Sequence, residues 1–301
     1  MGSMHVRSAW VAISAFFVLI GLPAAAQTFT VDDFTAGMYT DSTGNTLPYR
    51  LFVPRDYDPA KSYPLVTFLH GAGERGTDNR LQLTGQTGEL SYVNQSTADT
   101  FMLAPQCPPT DQWVEVPFDH GSYSIADTPI SPSLSTALSL QSWVLTQYHI
   151  DPTRLYLTGL SMGGYGAWDL SLRFPTLYAA VVPMSGAGDP ERAILELDDA
   201  VWAFHGANDS VVPVSGSRDM IDAMRAFGGN PLYTEYPGAD HNIWDTAYAT
   251  PDLIPWTFAQ QRRLDRESIV PEPGVTLWLL ACGVAVALAA APRLRAKKQT
   301  Q

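Results

Sequence analysis

The middle of the chain alternates between short apolar runs and segments whose apolar residues recur at helical spacing. Tyr63–His70 (YPLVTFLH) is apolar almost throughout and stops at Gly71, the pattern of a strand buried on both faces. Thr100–Ala104, Arg154–Thr158, Ala179–Met184, Ala200–His205 and Pro231–Tyr236 read as further strands, and Leu47–Val53 alternates and reads as a strand. Between them, Leu134, Leu138, Trp143, Val144 and Tyr148 give Pro132–Tyr148 a helical face, with Ser131 as its cap. Met162–Phe174 reads as a helix ending before Pro175, Pro213–Phe227 as one ending at Gly228-Gly229, and Asp252–Arg263 as the last. Strands alternating with helices predict an α/β fold: a mostly parallel sheet covered on both faces. Residues 27–46 are weakly patterned and fit edge strands. Residues 107–131, rich in Pro, Asp and Ser, make the longest loop.

Both ends break this pattern. Residues 1–26 carry His5 and Arg7, an apolar run from Ala9 to Leu22, then Pro23-Ala24-Ala25-Ala26. A basic start, a short apolar core and small residues at the end predict a secretory signal peptide, cut after Ala26; an uncleaved anchor is the alternative. At the other end, Val275–Ala291 is apolar for 17 residues and would span about 26 Å as a helix. Arg293, Arg295, Lys297 and Lys298 follow it, and Pro271-Glu272-Pro273 precedes it. This order resembles the bacterial PEP-CTERM sorting signal. The resemblance implies export, processing by an exosortase, and residence at the cell envelope or its matrix. An ordinary membrane anchor is the alternative. The expected organisation is a signal peptide at 1–26, a catalytic domain at 27–270 and a sorting segment with a transmembrane stretch at 271–301.

Charge sharpens the division. The chain carries a formal −12, but residues 27–270 hold 13 Lys+Arg against 29 Asp+Glu, a balance of −16. So acidic a body argues against nucleic acid as a partner. The two cysteines, Cys107 and Cys282, exclude a disulfide scaffold and a cysteine-based zinc site.

The chemistry gathers where predicted strands end. Gly159-Leu160-Ser161-Met162-Gly163 is a G-x-S-x-G motif between a strand and a helix, the context in which such a serine stands on a sharp turn. A serine hydroxyl needs a base, and the base needs an acid to orient it. In this arrangement the chain order is serine, acid, histidine. His205 and His241 are the histidines after Ser161. Asp209 follows the strand ending at His205, and His241 follows the strand ending at Tyr236, so both fall on the sheet edge that carries Ser161. His205 precedes the acid and is expected to pack under the Asp209 loop. Asp240 and Asp189 compete with Asp209 for the acid. An oxyanion hole would take one N–H from Met162 and another from the turn His70-Gly71-Ala72-Gly73, at Ala72 or Gly71. His70 itself is expected to be structural. No metal or cofactor is needed for this chemistry.

Taken together, these residues resemble the α/β-hydrolase superfamily, and within it secreted serine esterases related to polyhydroxyalkanoate depolymerases, feruloyl esterases and the prolyl oligopeptidase catalytic domain. Leu47–Pro54, Tyr63–Asn79, Leu103–Pro108, Leu157–Trp168, Trp202–Met220 and Tyr236–Tyr248 carry the likeness. It implies a triad of Ser161, Asp209 and His241 and an acyl-enzyme route for ester hydrolysis, with Glu74 and Arg75 braced against neighbours. Room is lacking for a propeller before Leu47 or a large lid between Met184 and Ala200, so an open site for bulky or polymer-linked esters is expected. Trp244 and Trp113 are the candidates for pocket walls, Trp113 with Phe118, His120 and Tyr123 in loop 107–131. A peptidase and a non-catalytic surface-anchored binding protein are the rival readings.

Overall fold

The computed structural model describes residues 28–95, 99–196 and 200–262. The expected signal peptide and sorting segment lie outside them. Among the described residues, eight strands form one sheet: β1 (Thr35–Thr40), β2 (Thr46–Phe52), β3 (Tyr63–Leu69), β4 (Phe101–Pro105), β5 (Ile150–Leu160), β6 (Ala180–Met184), β7 (Ala200–Gly206) and β8 (Leu232–Tyr236). Their spatial order is β1-β2-β4-β3-β5-β6-β7-β8. β1 and β4 each pair antiparallel with β2, and every other pairing is parallel. The helices are α1 (Leu81–Thr84), α2 (Ser91–Asn94), α3 (Pro132–Gln147), α4 (Met162–Arg173), α5 (Ser215–Ala226), α6 (Trp244–Tyr248) and α7 (Leu253–Ala259). This is the mostly parallel sheet, covered on both faces, that the alternating pattern predicts, in the α/β-hydrolase arrangement that the resemblance implies.

The continuous apolar runs are explained by two cores, one on each face. Along β3, Leu65 and Leu69 enter the core built with α3, α4 and α5, whereas Val66 and Phe68 enter the one shared with α6 and α7. β5 divides in the same way, Leu155 and Leu157 against Tyr156 and Leu160. Each such side chain contributes about 1.5–3 kcal/mol by leaving water.

Three boundaries differ from expectation. β5 begins at Ile150, not Arg154, because Ile150 already pairs with Tyr63; the register then shifts before Leu65 meets Leu155. Pro152 lies in that shift, where its missing N–H costs no ladder bond. α7 stops at Ala259, since Gln260 turns extended and the Arg262 N–H goes to Thr153 O at 2.8 Å. The edge expected in residues 27–46 is β1 alone, preceded by a capped 3-10 turn at Val31–Asp33. Among the described residues, no helix is long and apolar enough to cross a membrane.

Candidate active site

The turn between β5 and α4 is built on contact distances that exclude larger residues. A Cβ on Gly159 would strike the Gly163 carbonyl, and one on Gly163 would strike the Leu69 carbonyl at the end of β3. The chain can therefore press the start of α4 against the ends of β3 and β5. Ser161, at the N-cap, takes φ 54° and ψ −119°, a strained conformation for a residue with a Cβ. Its N–H donates to Met184 O on β6 at 2.8 Å, which fixes the turn. The Ser161 side chain then stands where the first amides of α4 point, with only 7% of the residue exposed.

Two loops bring the partners. His241 Nε2 lies 2.8 Å from Ser161 Oγ, and His241 Nδ1 lies 2.7 Å from Asp209 Oδ2. The Asp209 side chain is fully buried. Burial alone would push its carboxyl up. Hydrogen bonds from His205 and His241, then from the Val212 and Val211 N–H groups, outweigh burial and hold it far below the usual carboxylate range. The carboxyl is thus anionic at neutral pH.

The competing acids are engaged elsewhere. Asp240 Oδ1 accepts the His241 backbone N–H at 2.8 Å and the Ser210 N–H at 2.7 Å, tying the base loop to the acid loop without reaching the imidazole. Asp189 accepts from Ile125 N at 2.8 Å and Glu191 N at 3.1 Å, and so caps a loop.

The turn after β3 abuts the nucleophile. A Cβ on Gly71 would lie 3.5 Å from Ser161 Cβ and 2.9 Å from Leu160 Cδ1. Gly71 is the N-cap of the 3-10 turn Ala72–Glu74, and Met162 is the first residue of α4. His70 holds this turn from beneath. Its Nε2 accepts the Cys107 N–H at 2.9 Å, which leaves the proton on Nδ1, 2.6 Å from Gly71 O. Burial, helped by the nearby Arg75 charge, pushes the His70 ring down to about 4, with the Gly71 hydrogen bond opposing. His70 is therefore a neutral structural group at pH 7. Arg75 braces the same turn through Ala72 O at 3.0 Å and Asp111 O at 3.3 Å. Glu74 packs against Gly71 and Gly85 and its backbone carbonyl accepts from Gln106 Nε2 at 3.1 Å, while its buried Oε2 has no hydrogen-bond partner.

Trp113 is a correction. Expected as a pocket wall in loop 107–131, it is fully buried and packs in the core against β3 and α4. Its apolar surface and its N–H are both consumed inside the protein, so the ring does not meet a substrate. Phe118 and Tyr123 of that loop pack on Tyr165 of α4, with ring centroids 6.0 and 6.2 Å apart. Trp244, at the start of α6, is 8% exposed and meets the His241 ring edge-on at 5.3 Å. It packs in the core and touches the candidate base at once.

Two contacts have no clear sequence signal. Ser185, at the end of β6 with φ 44°, donates its Oγ–H to His241 O at 3.1 Å. His205 lies under the Asp209 loop, as expected, but also reaches the acid itself, with Nε2 3.1 Å from Oδ2. Among the described residues, no group of three or more His, Cys, Asp or Glu could hold a metal ion.

A mostly parallel sheet carrying a serine on a strand-to-helix turn, with a histidine and a buried aspartate at neighbouring strand ends, defines an α/β hydrolase of the serine–histidine–aspartate type. The Esterase family model matches residues 40–227, and the chain belongs to that family. A solved thermostable esterase is similar at 40% identity and TM-score 0.71, over 77% of this chain and 64% of that one. The feruloyl esterase module of Clostridium thermocellum shares the fold at 17% identity and TM-score 0.55, over 77% of this chain and 90% of that one. The ferulic acid esterase of Anaeromyces mucronatus does so at 17% identity and TM-score 0.51, over 75% and 91%. A Synechocystis protein named for carboxymethylenebutenolidase is 26% identical over 112 residues, 34% of this chain and 45% of its own length.

Proposed function

We propose that this chain is an exported serine carboxylic-ester hydrolase working through an acyl-enzyme. The observation that carries the reading is the unbroken line from Ser161 Oγ through His241 to the buried Asp209, at 2.8 and 2.7 Å. As Ser161 Oγ attacks the ester carbonyl carbon, its proton passes to His241 Nε2. Asp209 keeps Nδ1–H oriented toward itself and stabilises the imidazolium without taking the proton. The carbonyl oxygen gains negative charge beside the N–H groups of Met162 and of Ala72 or Gly71. Collapse expels the alcohol, which takes the proton from His241 Nε2. Water, deprotonated by the same nitrogen, then releases the acid.

The esterase family and the solved esterases support an ester as the substrate. The short connection after β6, a 3-10 segment at Pro190–Glu196 with no long helix, supports an open site and bulky or polymer-linked esters. The segments at 1–26 and 271–301 support export and envelope sorting, with exosortase-type machinery as a processing partner and the membrane met only through the C-terminal stretch. Detection of secreted material beginning at Gln27 is the expected result for export.

Labelling by a fluorophosphonate probe tests the catalytic reading. The intact protein is expected to label and Ser161→Ala to lose the label. Absence of label on the folded wild-type protein overturns the mechanism. A screen of p-nitrophenyl esters, feruloylated sugars, a polyhydroxybutyrate film and a peptide amide then assigns the substrate, and turnover of the amide alone overturns the ester assignment.

A further inference from the structure

The acid of the triad has a second imidazole on it. His205 Nε2 lies 3.1 Å from Asp209 Oδ2, the same oxygen that faces His241 Nδ1 at 2.7 Å. Nε2 also lies 3.1 Å from Val212 O. Carboxylate and carbonyl oxygens only accept here, so Nε2 carries a proton and donates. The other ring nitrogen, Nδ1, lies 2.7 Å from Ser217 Oγ on α5. His205 is fully buried at the end of β7, so its ring is fixed by a strand, a helix hydroxyl and the core. Asp209 Oδ1 meanwhile accepts the Val211 and Val212 N–H groups at 2.9 and 2.8 Å. Oδ1 thus takes two backbone donors and Oδ2 takes His241 Nδ1–H, while His205 Nε2–H, hydrogen-bonded to Val212 O, adds a second close N–H to Oδ2 at 3.1 Å.

We infer that His205 is a positioning residue for catalysis: its Nε2–H pins Asp209 Oδ2 and weakens that oxygen as a base, so that the proton from Ser161 stays on His241. The proposal rests on reading Ser161, His241 and Asp209 as the triad. Asp209 sits in a loop, and two backbone N–H groups hold only its outer oxygen. Without His205, the oxygen that orients His241 would be held by His241 alone. That oxygen would also bear more negative charge toward the imidazole, favouring its cation and so depleting the neutral base at a given pH.

Other charged groups face this pair. Asp240, in the loop of His241, is held by Ser210 N–H and Oγ–H. Glu235 on β8 stands opposite His205 in the β7–β8 register and is bound by Arg218 of α5 at 2.6 Å. Tyr165 of α4 senses the Asp209 charge. His205 hydrogen-bonds to Ser217 and Val212 and to none of these groups, so a shift in the behaviour of His241 is expected to report His205.

The test compares His205→Leu, which keeps bulk without a donor, with His205→Gln, which keeps an N–H near Nε2. Both are assayed on p-nitrophenyl acetate across pH. His205→Leu is expected to lose about tenfold or more in kcat with KM nearly unchanged, and to move the acidic limb of kcat/KM up by about half a pH unit. His205→Gln is expected to recover most of both. A folded Leu variant with wild-type kcat and an unmoved limb overturns the proposal, and so does a Gln variant no better than Leu. If the Leu variant does not fold, Ser217→Ala decides, since it frees His205 Nδ1 and should move the limb the same way. An unmoved limb in Ser217→Ala then overturns the proposal. Titration of the His241 ring by NMR gives the same answer without substrate. A wild-type protein that turns over no ester therefore fails the esterase reading and leaves this measurement intact.

Discussion

The indole N–H of Trp113 donates to the backbone carbonyl of His70 at 3.0 Å, with the two rings edge to face at 5.3 Å. A residue from the long loop thus supports the turn that follows β3 and abuts Ser161. Trp113→Ala should cost about 3–5 kcal/mol through the cavity it opens. Trp113→Phe should cost about 1 kcal/mol, the value of one buried hydrogen bond. Because the ring is remote from substrate, the Phe variant should keep its KM and lose kcat if the turn drifts. Urea denaturation and ester kinetics check the two halves.

His70 gives stability its pH dependence in mildly acid solution. In the unfolded chain a histidine takes a proton near pH 6.5, whereas native His70 refuses one until about pH 4. Below pH 6.5 the unfolded state therefore binds more protons. Stability is full above that point and falls by about 1.4 kcal/mol per pH unit down to about pH 4, roughly 3 kcal/mol in all. Urea midpoints of the wild type and His70→Gln, measured across that range, should converge as the pH falls. Parallel curves would contradict a neutral buried His70.

Asp209→Asn should leave the fold in place and lower kcat by about 10⁴, because an amide can hold His241 in the wrong tautomer. Ser161→Ala should abolish turnover while leaving substrate-analogue binding measurable. Stopped-flow and equilibrium binding separate the two. Comparable losses in binding would assign these residues to recognition instead.

Two glycines near the nucleophile should respond in opposite ways. Gly163→Ala drives a methyl into the Leu69 backbone and should destabilise by at least about 1–3 kcal/mol, with loss of activity. A Cβ on Gly73 meets nothing within 4 Å, so Gly73→Ala should stay within about 0.5 kcal/mol of wild type. Thermal melts of the pair check both.

Much of this was legible along the chain, and the reasons are physical. β3, β6 and β7 are buried on both faces, so their runs of apolar residues announce them. Ser161 and Asp209 follow the largely buried β5 and β7, and His241 follows the half-exposed β8, whose end is marked by the turn at Gly238, so the sheet edge that unites them could be read before any coordinate. Trp113 could not be placed, because an aromatic residue in a polar loop looks the same whether the loop folds outward or inward. The contact of His205 with Asp209 was hidden for a related reason. Four residues apart at the end of a strand, they meet only because the following turn doubles back. The short helices α1, α2 and α6 carry too few turns to show a period.

Cys107 follows β4, its thiol sealed in the core and its amide held by His70. Burial pushes that thiol up to about 12, so in the closed protein it is neither exposed nor ionised at neutral pH. Alkylation at Cys107 must then wait for the chain around the His70 turn to come apart. Its rate is a built-in clock for the opening of the floor beneath the nucleophile, readable in the unmodified protein under conditions where the enzyme is working.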